Sequence, residues 1–508
     1  WAEYQTPVAA TIWLPLALYC WERYARGHGR RFALYAALPL GLSLLGGHLQ
    51  YATYVLLAFG VYAAWRSGRN GRRWLLAAAV GMLALALSAH QLLPALELGK
   101  YNHRADGQPL AGVLGSALPL KHLITFLVPS FFGHPVDYNY WSSFNYVEYC
   151  GYLGVLPLLL LMPALWLRRD RYTLFFTLLA LVTLLMILGT PLYAVLYYLM
   201  PGFKQLSNPA RMLGIFSFAI ACLGAFGADS LASLPAARRR TLLLLCTGFL
   251  LVTAAAVSSL YTRHMTEIVS YGQQASVASA VAVFLVFALA SLAFVALAAG
   301  RQRALWLLPA LVAVDLLLFG MRFNPAGDPR MLYFPTASLD YLHQQPGQFR
   351  VLALAAPGND FMNAMIPNSN LPVGLAEIQG GDALYPRRYR QFAEFVESRK
   401  QGHPVHLGNG LSFSNPDTPG LDFLNDRYVL SPMPLRSPRQ ELVNNSDIFL
   451  YRNRAARPRA FLVHRAVVAQ PEQVLERMAT ENFALDQVAV LEQQPALSPA
   501  PATGKEEA

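Results

Sequence analysis

Three groups of residues in this sequence carry chemistry. His48 and Gln50 lie in Gly46-Gly47-His48-Leu49-Gln50, a polar break in an apolar run from Phe32 to Trp65. Both side chains hydrogen-bond, and a histidine beside a carboxylate transfers protons. His90, Gln91 and Glu97, at the end of the next apolar segment, are the groups that would join them. Arg211 follows Asn208-Pro209 at the start of a later apolar segment, with Lys204 seven residues earlier. An arginine at a helix N-terminus suits phosphate or pyrophosphate. Glu148, in Tyr146-Val147-Glu148-Tyr149, has the chemistry of a base or a metal ligand. Each group has a bland counterpart. The turn can simply face water, the arginine can snorkel to headgroups, and the carboxylate can sit among aromatic anchors.

The elements that must position these groups are membrane spans. Hydrophobic residues make up 55% of the 508-residue chain and charged residues 14%. Many stretches reach the roughly 20 apolar residues that a spanning helix needs. The net charge of +11 is concentrated in short loops, where it sets topology rather than calling for nucleic acid. Arg23, Arg26, Arg30 and Arg31 precede the Phe32–Trp65 run; Arg66, Arg69, Arg72 and Arg73 follow it. Both ends of that run therefore lie on one side, and the chain turns back at Gly46-Gly47. About ten spans place every arginine cluster between them inside: 7–24, 32–45, 48–65, 74–96, 151–167, 172–188, 210–238, 242–261, 277–299 and 304–321. The segment 97–149 becomes a long outer loop, rich in aromatics such as Tyr138, Tyr140 and Trp141. Its part from Leu110 to Phe132 has room for an interfacial helix.

Residues 1–321 thus read as a transmembrane domain, 322–491 as a small extracytoplasmic α+β domain, and 492–508 as a disordered tail. Strand-like runs in the outer domain are Phe349–Ala353, Ile448–Tyr451, Ala460–Val463 and Val488–Leu491. Helix-like runs are Tyr385–Lys400 and Pro471–Thr480. Gly380 to Tyr389 clusters turn, acid, aromatic and basic residues, as an anion or sugar site would, or as a capped helix start would. Asp315 sits inside the last span, where it either works or pairs with a polar neighbour. Cys20, Cys150, Cys222 and Cys246 have no metal-ligand spacing, and no phosphate loop, HExxH, CxxC or GxSxG is present. The chain begins at Trp1 without a signal pattern and reads as a fragment with spans missing upstream.

Several of these stretches together resemble the YfhO-like bacterial membrane protein family. They are Leu45 to Gln50, which matches that family's Gly-His-Pro-Gln turn except for Leu49 in place of proline; Leu92 to Glu97; Glu148 to Gly154; Phe203 to Arg211; Asp382 to Arg388; and Pro458 to Val463. Each is short, and their order and spacing make the resemblance. It implies a glycosyltransferase-like bundle of the C type in a bacterial inner membrane. Such a protein moves a sugar from a polyprenyl-phosphate carrier to an envelope polymer or glycolipid on the outer face. Some relatives are implicated in decorating teichoic acids. The resemblance places the catalytic acid in an outer loop upstream of Trp1, so no residue here inherits that role. A divalent cation is the one cofactor left open, and no metal ligand is assigned. Arg211, with Lys204, would hold the carrier phosphate. His48, Gln50 and Glu97 would orient sugar or acceptor, His90, Glu148 and Asn208 are further substrate-binding candidates, and Tyr138 to Trp141 would stack on a sugar ring. The alternatives are a transporter or flippase using the same cavity, and an assembly factor whose outer domain binds a partner.

Overall fold

A computed structural model of the chain describes residues 5–142, 146–200, 202–206, 208–323, 328, 330, 335–356, 359–381, 384–398, 411, 413–480, 484 and 487–496. It separates into two units, one of residues 1–97 and 106–326, the other of 98–105 and 327–508. The first unit is helical. Among the described residues, four of its helices are long and apolar enough to cross a bilayer: Pro209–Ala232, Ala236–Arg263, Gln274–Ala298 and Gln302–Gly320. Two bent pairs raise that number to six if each pair is one span: Gly71–Leu87 with Ala89–Tyr101, bent by 80°, and Arg171–Ile187 with Leu192–Leu199, bent by 82°. Leu251, Val252, Val286, Leu289 and Leu318 on these helices are exposed. Apolar side chains in that number, turned outward, belong in lipid rather than water.

The expectation of about ten spans counted segments that fold as shorter or broken helices. Proline explains the breaks, because it has no N–H and its ring clashes with the carbonyl four residues earlier. The helix Gln5–Thr11 stops four residues before Pro15, and Arg30–Tyr35 stops four before Pro39. Val155–Leu159 stops four before Pro163, and Arg171–Ile187 four before Pro191. The bend after Leu87 falls at Ser88, whose hydroxyl donates to Ala84 O at 2.8 Å.

At one end of this unit the basic loops meet. Glu22 accepts from Arg66 Nε at 2.6 Å, Arg26 Nε at 2.7 Å, Tyr62 at 2.9 Å and Tyr172 at 2.8 Å. Arg73 adds bonds to Arg66 O and Ala25 O. One carboxylate thus ties together the ends of the helices Leu14–Ala25, Leu49–Ser67 and Arg171–Ile187. At the far end of the helix Leu49–Ser67, Gly46 lies against the helix Gln5–Thr11. A Cβ there would stand 2.7 Å from Ala10 N. The Ser43 hydroxyl donates to Ala10 O at 2.6 Å beside it.

The second unit holds a five-stranded sheet in the order β4-β1-β5-β7-β6. Its strands are β1 (Arg350–Ala353), β4 (Ala376–Glu377), β5 (Asp426–Ser431), β6 (Gln440–Asn444) and β7 (Phe449–Asn453). Between β1 and β4 lies a separate pair, β2 (Ala355–Ala356) and β3 (Asn359–Asn363). A second two-stranded sheet pairs β8 (Arg465–Val468) with β9 (Val488–Leu491). The central strands β1 and β5 run parallel, which suits their apolar, buried character. The strand expected at Ala460–Val463 is absent: that segment is irregular, and β8 begins two residues beyond it. The expected helices appear as Arg387–Ser398 and as a 3-10 turn Pro471–Gln473 leading into Val474–Thr480. In the long 97–149 segment, Leu110–Leu114 is helical and Leu120–Phe126 is 3-10. Its residues 98–105 pack with the second unit, where His103 N donates to Tyr385 O at 3.0 Å. From 497 onward the expected tail lies outside the described residues, whereas Glu492 pairs with Arg388 at 2.7 Å.

Asp426 opens β5 with its side chain fully buried and neither carboxylate oxygen hydrogen-bonded. Burial pushes its carboxyl well above the usual carboxylate range. The folded state therefore binds the proton more tightly than the unfolded chain. The stability this confers is complete below the unfolded carboxylate pKa and is lost as pH rises toward the folded value. An Asp426→Asn variant is expected to match the parent near pH 4 and to melt at a higher temperature near pH 8, by about 1–3 kcal/mol. Thermal unfolding at the two pH values checks this.

Candidate functional site

The site forms where a turn and a helix start approach each other at the Gly46 end of the first unit. Asn208 and Pro209 shape the helix start. The Asn208 side chain accepts from Ala210 N at 3.0 Å, and proline occupies the first position, where no N–H is needed. Asn208 has φ +64°, a left-handed conformation that asparagine tolerates. This sets Arg211 in the first turn of the Pro209–Ala232 segment. The turn at Gly46-Gly47 performs the same service for Gln50. Gly47 has φ +83°, and His48 precedes the helix Leu49–Ser67.

Arg211 is held from two sides. Its Nε donates to Glu148 Oε1 at 2.7 Å, and its Nη2 reaches the same oxygen at 2.5 Å. Its Nη1 donates to Gln50 Oε1 at 2.7 Å. The Gln50 amide nitrogen donates in turn to the Tyr54 hydroxyl at 2.8 Å and to Asn208 O at 3.3 Å. Tyr54 lies 3.4 Å from the Tyr193 hydroxyl. Gln50, Asn208, Tyr54 and Tyr193 are buried, while the Arg211 side chain is 21% exposed and that of Glu148 16%. The arrangement is a fixed cation on a buried polar base, open on one side. Because two N–H groups converge on one carboxylate oxygen, the pair is not the parallel two-oxygen fork that arginine makes with its tightest partners.

Four of the expected residues therefore come together: Gln50, Glu148, Asn208 and Arg211. His48 stands next to them, half-buried, with its ring edge-on to Tyr51 at 4.6 Å between centroids, and makes no hydrogen bond to the guanidinium. His90 and Glu97 do not join. Both are exposed on the helix Ala89–Tyr101, which the bend at Ser88 turns aside. Lys204 does not join either. Its ammonium lies over the rings of Tyr197 and Tyr198 at 5.8 and 5.6 Å, and its backbone carbonyl accepts from Gln108 N at 2.8 Å. Tyr54 and Tyr193 were not singled out in the sequence. Tyr54 carried a signal, since it is four residues after Gln50 on one helix face. Tyr193 meets it only through the tertiary fold.

Other expected residues take structural places. Asp315 accepts from the Tyr152 hydroxyl and, at 2.9 Å, from Val155 N, so it ties down the start of the helix Val155–Leu159. In the aromatic run, Tyr138 stands 99% exposed, while Trp141 packs on Phe132 and Tyr140 on Tyr146. Of the Gly380–Tyr389 cluster, Asp382 and Ala383 lie outside the described residues. Gly380, Gly381, Tyr385 and Tyr389 line a cleft of about 550 Å³ with Arg350 and Glu377. Burial raises the Glu377 carboxyl, against backbone donors from Asn368 and Gly380. Among the described residues no group of three or more His, Cys, Asp or Glu is placed to hold a metal ion. The chain matches no protein-family model, no curated protein and no solved structure.

Proposed function

We propose that the chain is a membrane glycosyltransferase of the YfhO-like kind, and that the Arg211 cluster receives the phosphate of a polyprenyl-phosphate-linked sugar. The observation that carries this reading is the guanidinium fixed between Glu148 and Gln50. A half-buried arginine is suited to a phosphate oxyanion, and Gln50 orients it before the ligand arrives. Glu148 is the internal counter-ion whose place the phosphate takes or shares. The apolar helices around the cluster are the solvent for a polyprenyl tail. In the reaction, the acceptor hydroxyl oxygen bonds to the anomeric carbon and the bond from that carbon to the phosphate oxygen breaks. The phosphate leaves on its lipid with the electron pair, and the hydroxyl proton passes to a base. Arg211 stabilises the charge that develops on the departing phosphate. In this reading transfer takes place on the outer face of a bacterial inner membrane, onto an envelope polymer or glycolipid.

Membranes that contain the full chain, given a labelled polyprenyl-phosphate hexose, are expected to release polyprenyl phosphate and to label an envelope product. Membranes without the chain are expected to do neither. Donor that crosses the bilayer unchanged would make the protein a flippase instead.

A further inference from the structure

We infer that the second unit carries a docking cleft for a linear polyanion, a chain of repeated oxyanion groups. The cleft measures about 650 Å³ and lies beside β5 and β7. Arg427, Arg452, Arg454, Arg457 and Arg459 line it, against a single carboxylate, Glu441. Glu441 meets Arg454 at 3.2 Å with both side chains well exposed, so it offsets little of that charge. Arg452, Arg454, Arg457 and Arg459 are exposed. Like charges gathered in this way repel one another, and an anion relieves the repulsion.

The loop that presents them is built rather than incidental. Asp422, Asn425 and Asn453 are buried beneath it, at 5%, 5% and 3% exposure. Arg457 N donates to Asp422 O at 3.0 Å, and Asn425 Nδ2 donates to Arg457 O at 2.7 Å. Asn453 Oδ1 accepts from Ala455 N at 3.0 Å, while its Nδ2 donates to Asp422 Oδ1 at 2.7 Å and to Asp426 O at 3.0 Å. Buried polar groups are costly unless bonded; here Asn453 and Asp422 bond each other, Asp422 also pairs with Arg439, and Asp422 O and Asn425 Nδ2 hold the backbone of the arginine loop. Arg427 is fixed as well, donating to Pro346 O at 2.8 Å across the ring of Phe349.

Guanidinium groups pair with phosphates and carboxylates through two parallel bonds. One phosphate carries at most about two charges, too few for this cleft, whereas a polymer supplies one oxyanion after another. A bilayer surface fits poorly. The remaining lining side chains are Gln348, Asn425, Asn453, Ala456, Pro458 and Ala460, none of them a large apolar group to enter lipid. A flat surface also cannot follow the arginines into a cleft. The inference stands apart from the transferase reading, because polymer binding is measured with no sugar donor present.

The test uses the full chain in neutral detergent at about 0.15 M salt, where long-range attraction is screened. Fluorescent long-chain inorganic polyphosphate is the probe, and polygalacturonate, a carboxylate chain, the competitor. The triple variant Arg452→Glu, Arg457→Glu and Arg459→Glu is expected to bind polyphosphate at least ~10-fold more weakly. The same three positions changed to Gln are expected to give a smaller loss in the same direction. Reversal of Arg387, Arg388 and Arg390 on the helix Arg387–Ser398 changes net charge equally and is expected to leave affinity within about threefold. Polygalacturonate is expected to displace the probe, and inorganic phosphate at equal oxyanion concentration is not. Equal losses in the two triple reversals would reduce the binding to net charge and overturn the proposal. So would displacement by inorganic phosphate, or binding to anionic vesicles without binding to polymer.

Discussion

An Arg211→Ala variant is expected to lose envelope glycosylation by about 100-fold or more at equal protein level, as removal of a charge stabiliser from an active site generally does. The change removes all three guanidinium bonds at once. Glu148 loses both donors to Oε1, and Gln50 loses the donor to its amide oxygen. A carboxylate left without its cation at 16% exposure is costly, so the variant is also expected to be less stable. Arg211→Lys separates the two effects. It keeps a positive charge for Glu148 but presents a point charge in place of the planar fork. It is expected to recover most of the stability and only part of the transfer. If Arg211→Lys restores both fully, the fork geometry is irrelevant. If Arg211→Ala transfers normally, the cluster is a structural ion pair.

The second large effect is expected at Gly46. A methyl group there would stand 2.7 Å from Ala10 N and from Ala9 C, and 2.9 Å from Ala10 Cα. These are backbone atoms of the packed helix Gln5–Thr11, so no side-chain rotation relieves the contact. Either that helix shifts or the Gly46 turn does. Overpacking of this kind costs about 1–3 kcal/mol, and it also breaks the seat of the Ser43 to Ala10 bond. Gly46→Ala is therefore expected to lower the thermal midpoint in detergent and, because Gln50 follows four residues later, to loosen the hold on Arg211. Gly60 is the control. It lies inside the helix Leu49–Ser67 with nothing within 4 Å of an added Cβ, and alanine favours helix over glycine. Gly60→Ala is expected to leave stability unchanged or slightly raised. A Gly46→Ala protein as stable as the parent would mean that the helix Gln5–Thr11 is not held where it is described.

The part of the site that was legible consists of polar residues stranded in apolar sequence. Arg211, Glu148, Asn208 and Gln50 each stand out against their neighbours, and burial makes such residues find one another. What was not legible is direction. His90 and Glu97 belong to the site only if residues 74–96 form one straight span. The 80° bend at Ser88 sends them elsewhere, and hydropathy does not mark it. Lys204 is only seven residues from Arg211, but the rings of Tyr197 and Tyr198 draw its side chain away.

The sequence did contain a signal for the breaks in these helices. Pro15, Pro39, Pro163 and Pro191 mark breaks at a fixed offset of four residues, which hydropathy alone does not register. In the second unit, β1, β7 and β9 follow from their apolar runs. β5 carries an apolar run, Tyr428 to Leu430, behind its polar start, whereas β6 begins with Gln440-Glu441 and owes its strand character to pairing with β7. The five-arginine cleft is similarly dispersed. Arg427 lies 25 residues before Arg452, and only the pairing of β5 with β7 brings them together.

The measurement that bears most directly on the Arg211 cluster is the affinity of the detergent-solubilised full chain for polyprenyl phosphate, compared with the uncharged polyprenol of the same length. The tail contacts are identical in the two lipids, so the difference reports the phosphate alone. The parent protein is expected to prefer the phosphate by about 10- to 100-fold, the range for charge-assisted bonds. Arg211→Ala is expected to bind the two lipids alike. A preference for the phosphate that survives in Arg211→Ala, or that is missing from the parent, would contradict the assignment of Arg211 as the phosphate ligand.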